Sequence, residues 1–120
     1  MWFGSNTPDE ELQVALGEVN AGTALLLDVR EQKEWDEKHL AQAQLVPTTQ
    51  IKELPASHRE IPGVPKAKRV YVHCAKGGRA KQVCKLMCEF GYDAVPLVCA
   101  FDHLAKQGFR LAKSTEEVQF

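Results

Sequence analysis

Long hydrophobic runs are missing from this chain of 120 residues. The two longest, 24–27 and 94–101, fall far short of a bilayer span, and Pro96 interrupts the second. A membrane partner is therefore not expected. No basic stretch followed by an apolar one opens the chain, so no secretory signal is visible. That points to a cytoplasmic protein, or to a periplasmic one whose signal has been removed. An excess of charge is missing too. Fifteen Lys and Arg stand against sixteen Asp and Glu, a net charge of −1. A phosphate-backbone binder needs a positive excess, so nucleic acid is not an expected partner. Repeats and low-complexity tracts are absent. The four cysteines, Cys74, Cys84, Cys88 and Cys99, include no Cys-x-x-Cys pair, and no His stands at zinc-finger distance. No metal is implied, and free thiols in a reducing compartment are the default.

What remains is a balanced composition, 44% hydrophobic and 26% charged. It fits one globular domain over residues 1–120, with a core of about 7–110 and a tail at 111–120 that is expected to be mobile from Ser114 on. Thr7-Pro8-Asp9-Glu10 reads as a helix start, with Thr7 as cap and Glu10 closing a capping box. Leu12, Ala15, Leu16 and Val19 follow at one-sided helical spacing, and Gly22 stops the helix. Residues 24–29 form a short apolar run ending in Asp28 and Arg30, as a buried parallel strand would. Residues 31–39 suggest a surface helix, and 45–47 a brief strand. Thr48 or Thr49 can cap a short helix bearing Ile51 and Leu54. Pro55, Pro62, Gly63 and Pro65 mark an irregular connection. Strands are expected at 69–73 and 94–98. Helices are expected through Val83, Leu86, Met87 and Phe90, and through Phe101, Leu104 and Ala105. Strands alternating with helices predict an α/β fold, a parallel sheet of about five strands with helices on both faces. Ligand sites in such sheets lie beyond the carboxyl ends of the strands.

At one of those ends stands Cys74-Ala75-Lys76-Gly77-Gly78-Arg79. A strand ends at Cys74 and a helix begins near Gly78. Two glycines let the backbone curl so that successive N–H groups point inward, making an anion cradle at a helix N-terminus, centred near the sulfur. Such a field favours thiolate over thiol. Lys76 and Arg79 add positive charge, and Arg79 can grip an oxyanion with two N–H groups. The pattern is that of an activated nucleophile in a cradle for an anion. It is not a P-loop, because no Lys-Ser or Lys-Thr pair follows the glycines. Cysteine phosphatases and arsenate reductases space Cys and Arg by five residues. Here only four intervene, a smaller ring suited to a single sulfur more than to a phosphoryl group.

With these residues the chain resembles a single-domain rhodanese, a sulfurtransferase, over residues 25–109. Cys74, Gly77 and Arg79 match the family's Cys-x-x-Gly-x-Arg loop. Asp28-Val29-Arg30 with Glu34-Trp35 resembles its early Asp-Val-Arg segment. His39, Ala43, Pro47, Gly108 and Phe109 match flanking positions. Lys38 and Gln42 replace glycines, Ala80 replaces a hydroxyl residue, Cys99-Ala100 replaces a glycine pair, and Leu104 replaces a tryptophan. The resemblance implies a three-layer fold and a persulfide on Cys74. The persulfide would be loaded by a small anionic sulfur donor such as thiosulfate and unloaded onto cyanide or a thiol acceptor, without cofactor. The loop from Ala75 to Arg79 would bind substrate and persulfide. Asp28 and Arg30 read as a structural brace, and His39 and His73 as structural. Cys84 and Cys88, four apart on one side of a helix, read as core or partly buried thiols. Cys99, standing where the family has glycine, is a candidate resolving thiol on the rim shared with Cys74. Other readings remain: a phosphatase or arsenate reductase, and a non-catalytic module that binds a partner or senses redox state. Trp2 and Phe3 fit none of these patterns.

Overall fold

The computed structural model describes residues 6–55, 57 and 60–112, so Trp2, Phe3 and the stretch from Ser114 lie outside the described residues. Among the described residues nine elements alternate between helix and strand as the apolar pattern predicts. They are α1 (Asp9–Ala21), β1 (Ala24–Asp28), α2 (Gln32–Glu37), β2 (Ala43–Leu45), α3 (Thr48–Lys52), β3 (Arg69–His73), α4 (Gly78–Glu89), β4 (Ala94–Pro96) and α5 (Phe101–Lys106). The strands form one parallel sheet in the order β2-β1-β3-β4. The four strands among the described residues are roughly consistent with the expected number of about five.

Strand residues point alternately to the two faces, and the core divides accordingly. Leu27, Val70 and Val72 pack with Ile51 of α3 and with Ala80, Val83, Cys84 and Met87 of α4. Ala24, Leu26 and Tyr71 pack with Leu12 and Ala15 of α1 and with Phe101 and Leu104 of α5. Helices therefore cover both faces. The proline-rich connection before β3 is pinned by Tyr92, whose hydroxyl accepts the Ile61 N–H at 2.8 Å and donates to the Val64 carbonyl at 2.6 Å. Leu111 and Ala112, assigned to the tail by sequence, are tied in by a bridge to Leu40 and a bond to the His39 carbonyl. Among the described residues no helix is long and apolar enough to cross a membrane.

Thr7 does not cap α1, contrary to the sequence expectation. Pro8 holds the position before the first helical residue, and Asp9, Glu10 and Glu11 face the positive end of the helix dipole instead. The Thr7 hydroxyl accepts the Val98 N–H at 2.8 Å, and the Thr7 N–H donates to the Val98 carbonyl at 2.9 Å. Neither threonine of α3 caps it either: Thr48 donates to the Val29 carbonyl at 2.7 Å and Thr49 to Glu31 Oε1 at 2.8 Å. In each case a hydroxyl satisfies a group on another segment in preference to its own helix.

Replacing Thr7 with Val keeps the shape and leaves the Val98 N–H unpaired. A loss of about 1–3 kcal/mol is expected. Urea denaturation checks it, and an unshifted midpoint would show that the hydroxyl holds nothing.

Candidate functional site

In the strand order β2-β1-β3-β4 the chain leaves β1 toward one side and later returns to its other side. The sheet's switch point thus lies between the carboxyl ends of β1 and β3, where a crevice forms in open parallel sheets. Asp28 and His73 are register partners there, and Cys74 follows His73.

Cys74 is 2% exposed, at the floor of the loop that joins β3 to α4. Its Sγ accepts the Gly77 N–H at 3.0 Å and the Ala80 N–H at 3.4 Å. The second donor belongs to the first turn of α4, where N–H groups have no partner inside the helix. Both contacts favour negative charge on the sulfur. Gly77 alone makes the curl. Its φ is 116°, and a Cβ there would meet Val98 Cγ1 at 2.5 Å. Gly78 has negative φ and open space around it. Only one of the two glycines is therefore required, against the sequence expectation. Ala80 turns its methyl into the core, and its backbone N–H reaches the sulfur in the absence of a hydroxyl.

Arg79 is already occupied. Its Nη1 and Nη2 donate to Glu34 Oε1 and Oε2 of α2 at 2.6 and 2.9 Å. These bonds hold the Glu34 carboxyl down at about 2 and raise the Arg79 guanidinium further above its usual range. An oxyanion gripped through the same two N–H groups would therefore compete with Glu34 for them. Lys76 is exposed on the loop.

Asp28 and Arg30 form the structural pair expected of them. Arg30 donates from Nε to Oδ1 at 3.0 Å and from Nη2 to Oδ2 at 2.8 Å, with both side chains buried. Arg30 Nη2 also donates to the Lys38 carbonyl at 2.8 Å, and its guanidinium lies 4.4 Å from the Phe101 ring centre. His73 is fully buried, with Nε2 3.8 Å from Asp28 Oδ2 and no well-directed hydrogen bond to either ring nitrogen. Burial pushes it down to about 4, against the pull of the Asp28 carboxylate. His39 stacks on Trp35 and bonds the Trp35 carbonyl, a structural place.

The remaining thiols separate. Cys84 is buried and its thiol is pushed up by desolvation, whereas Cys88 is exposed. Cys99 is 5% exposed and packs in the apolar cluster with Leu97, Phe101 and Leu104, whereas Cys74 packs in the cluster on the other face of the sheet. Burial pushes the Cys99 thiol up to about 11. Both Cys74 and Cys99 are buried, so a resolving role for Cys99 would require the packing around the two thiols to open. Sequence reasoning missed three neighbours of the site: Glu34 as partner of Arg79, Val98 against Gly77, and Phe101 against Arg30. Each contact joins segments far apart in the chain, and only the acid-base complementarity of Glu34 and Arg79 left a signal.

A family model described as a rhodanese-like domain matches residues 10–101. A Helicobacter pylori protein solved by NMR is 32% identical, with 84% of this chain and 88% of that chain covered and a TM-score of 0.60. A rhodanese-related protein from Thermoplasma volcanium is 19% identical, with 89% and 96% covered and a TM-score of 0.68. A rhodanese-like domain protein from Staphylococcus aureus is 24% identical, with 88% and 95% covered and a TM-score of 0.64. The last two likenesses show the fold. No curated protein matches.

Two outcomes follow from this geometry. Gly77→Ala should lose about 1–3 kcal/mol from backbone strain alone, with the Val98 clash added, whereas Gly78→Ala should stay within about 0.5 kcal/mol or stabilise. Equal losses on denaturation would mean that the curl is not centred on Gly77. The second outcome concerns pH. The folded-state pKa of His73 lies below its unfolded value of 6.5, so the unfolded chain takes up the proton first as pH falls. The contribution is fully present above 6.5 and lost on the way down through about 4, roughly 3 kcal/mol in all. Glu34 acts in a lower window, from 4.5 toward about 2. Denaturation between pH 6.5 and 4.5 should therefore show falling stability in the wild type, with a shallower slope in His73→Phe. Equal slopes would place the titration elsewhere.

Proposed function

Because the chain belongs to the rhodanese-like domain family, we propose that it is a sulfurtransferase working through a persulfide on Cys74. The supporting observation is the placing of two backbone N–H donors, from Gly77 and Ala80, on a single buried sulfur at the switch point of the sheet. Such an arrangement stabilises an anionic sulfur, first as nucleophile and then as persulfide. The sulfur of Cys74 attacks the outer sulfur of a donor such as thiosulfate. One S–S bond forms, the donor's S–S bond breaks, and sulfite leaves with the electron pair. In the second half an acceptor thiolate or cyanide attacks the outer sulfur of the persulfide and returns Cys74 as thiolate. Both halves are displacements at sulfur, need no cofactor and give ping-pong kinetics. Ala75, Lys76, Gly77, Gly78 and Arg79 form the substrate loop in this reading. Donor and acceptor are a small sulfur compound and a thiol, the latter on a small molecule or a protein. The four residues between Cys74 and Arg79 argue against phosphoryl transfer.

The test pairs chemistry with mass. Incubation with thiosulfate should add one sulfur to the Cys74 peptide, and thiocyanate should form when cyanide follows. Cys74→Ser should fold normally and lose transfer by at least about a thousandfold, since removal of a covalent nucleophile commonly costs that much. Sulfur found only on Cys84, Cys88 or Cys99, or efficient hydrolysis of aryl phosphates by the wild type, would refute the reading.

A further inference from the structure

Arg79 gives one N–H from each of Nη1 and Nη2 to Glu34, in a bidentate pair one-third exposed on each side, so an oxyanion that approaches Arg79 meets the Glu34 carboxylate beside it. Glu34 is not free to swing away. Its Oε1 also accepts the Glu31 N–H at 3.0 Å, which closes the capping box of α2. Glu31 in turn holds Thr49 of α3 through its own carboxylate. The acid is thus fixed by its helix, and that helix is tied to a neighbour. Of the other cations near the pole, Arg30 is committed to Asp28 and Lys38 to Asp102. Lys76 is the exposed cation on the loop.

We propose that Glu34 is a specificity-determining residue: by holding Arg79 it turns the site away from dianionic oxyanion donors and toward persulfides of uncharged thiols. This rests on the sulfurtransferase reading of Cys74. A dianion must either displace a carboxylate held by three hydrogen bonds or approach with that negative charge beside it. Hydrogen bonds of this charged kind are roughly twice as strong as neutral ones. A persulfide R–S–SH has no oxyanion to place. The Cys74 thiolate attacks its outer sulfur, the new S–S bond forms as the donor's S–S bond breaks, RS⁻ leaves with the electron pair, and the proton stays on the new persulfide. Nothing in that step needs Arg79 free.

The experiment compares thiosulfate with the persulfide of an uncharged alkyl thiol, using cyanide as acceptor throughout. Glu34→Gln keeps an acceptor for the Glu31 N–H and removes the charge. It should raise kcat/KM for thiosulfate about tenfold or more, mainly through KM, and change the persulfide value by less than about threefold. Glu34→Asp, too short to keep both bonds, should move the ratio in the same direction and serves if the Gln variant does not fold. In Glu34→Gln/Arg79→Gln the gain for thiosulfate should vanish, because the freed guanidinium is gone. An unchanged donor ratio in the single variants, or a gain that survives in the double variant, overturns the proposal while leaving the sulfurtransferase reading intact. Failure of every variant and of the wild type to load sulfur on Cys74 from either donor removes both.

Discussion

At the end of β1 two opposite charges, Asp28 and Arg30, are buried together, and the carboxyl pole of the sheet is organised around them. Taking both ions out of water carries a desolvation cost that the Coulomb attraction alone does not guarantee to offset. The offset comes from saturation. The Asp28 carboxylate accepts the Arg30 backbone N–H as well as its guanidinium, and Arg30 uses a further N–H on the Lys38 carbonyl and its flat face on Phe101. The pair therefore reaches β1, the end of α2 and the start of α5, and through the neighbouring His73 it touches β3. Removing either partner would leave a buried, uncompensated charge, a change that typically costs about 3–5 kcal/mol. The family's Asp-Val-Arg segment is in this chain a brace, and it stands near the Cys74 loop with no hydrogen bond to its sulfur among those of the described residues.

α2 shows what the brace leaves to weaker forces. None of its residues is buried. It is held by Glu31 to Thr49, by Glu34 to Arg79, and by the Arg30 bond to the carbonyl of Lys38. The neighbouring Lys38–Asp102 pair is largely exposed on both sides. Exposed pairs of that kind contribute little and weaken in salt. The Glu34–Arg79 pair differs because it is bidentate, half sheltered and built on a capping box. A helix with no buried residue thus reaches the loop through one bidentate contact, which falls on the cation Arg79. Placing donor selectivity in that contact separates it from the chemistry: the sulfur keeps its backbone donors whichever way Arg79 is turned.

The layering of the fold was legible in the sequence because it rests on burial, and burial leaves a periodic trace. Residues 69–73 read as a strand and form one, and the one-sided spacing of Val83 and Met87 placed α4. The loop was legible for a related reason, since Cys74, Gly77 and Arg79 lie within six positions of each other and their chemistry is local. Hydroxyl groups were misread. Thr7, Thr48 and Thr49 all stand where a cap belongs, and all spend their hydroxyls on other segments. A short polar side chain at a helix start satisfies the local rule equally well in either arrangement, and only the assembled sheet decides. For Cys99 only the strand end was legible, because strand adjacency does not say which face a residue beyond that end will take. Gly78 was over-read because a glycine pair looks like one requirement, and the backbone needs only the first.

One departure from the family pattern shows how the Cys74 sulfur keeps its hydrogen-bond donors through a substitution. Ala80 stands where a hydroxyl residue usually follows the arginine, which removes one side-chain donor from the neighbourhood of the sulfur. The methyl is fully buried in the cluster with Val83 and Cys84. The donor that remains is the Ala80 N–H, fixed by the helix and independent of side-chain identity. A hydroxyl must be ordered at an entropic cost, whereas a backbone N–H of a helix's first turn is ordered already and has no competing partner inside the helix. The same holds for the Gly77 N–H, whose direction follows from a backbone turn that the approach of Val98 leaves open to glycine. The stabilisation of sulfur thus resides in the main chain, where most substitutions cannot reach it. The side chains around it, Lys76, Arg79 and Glu34, contribute none of these donors.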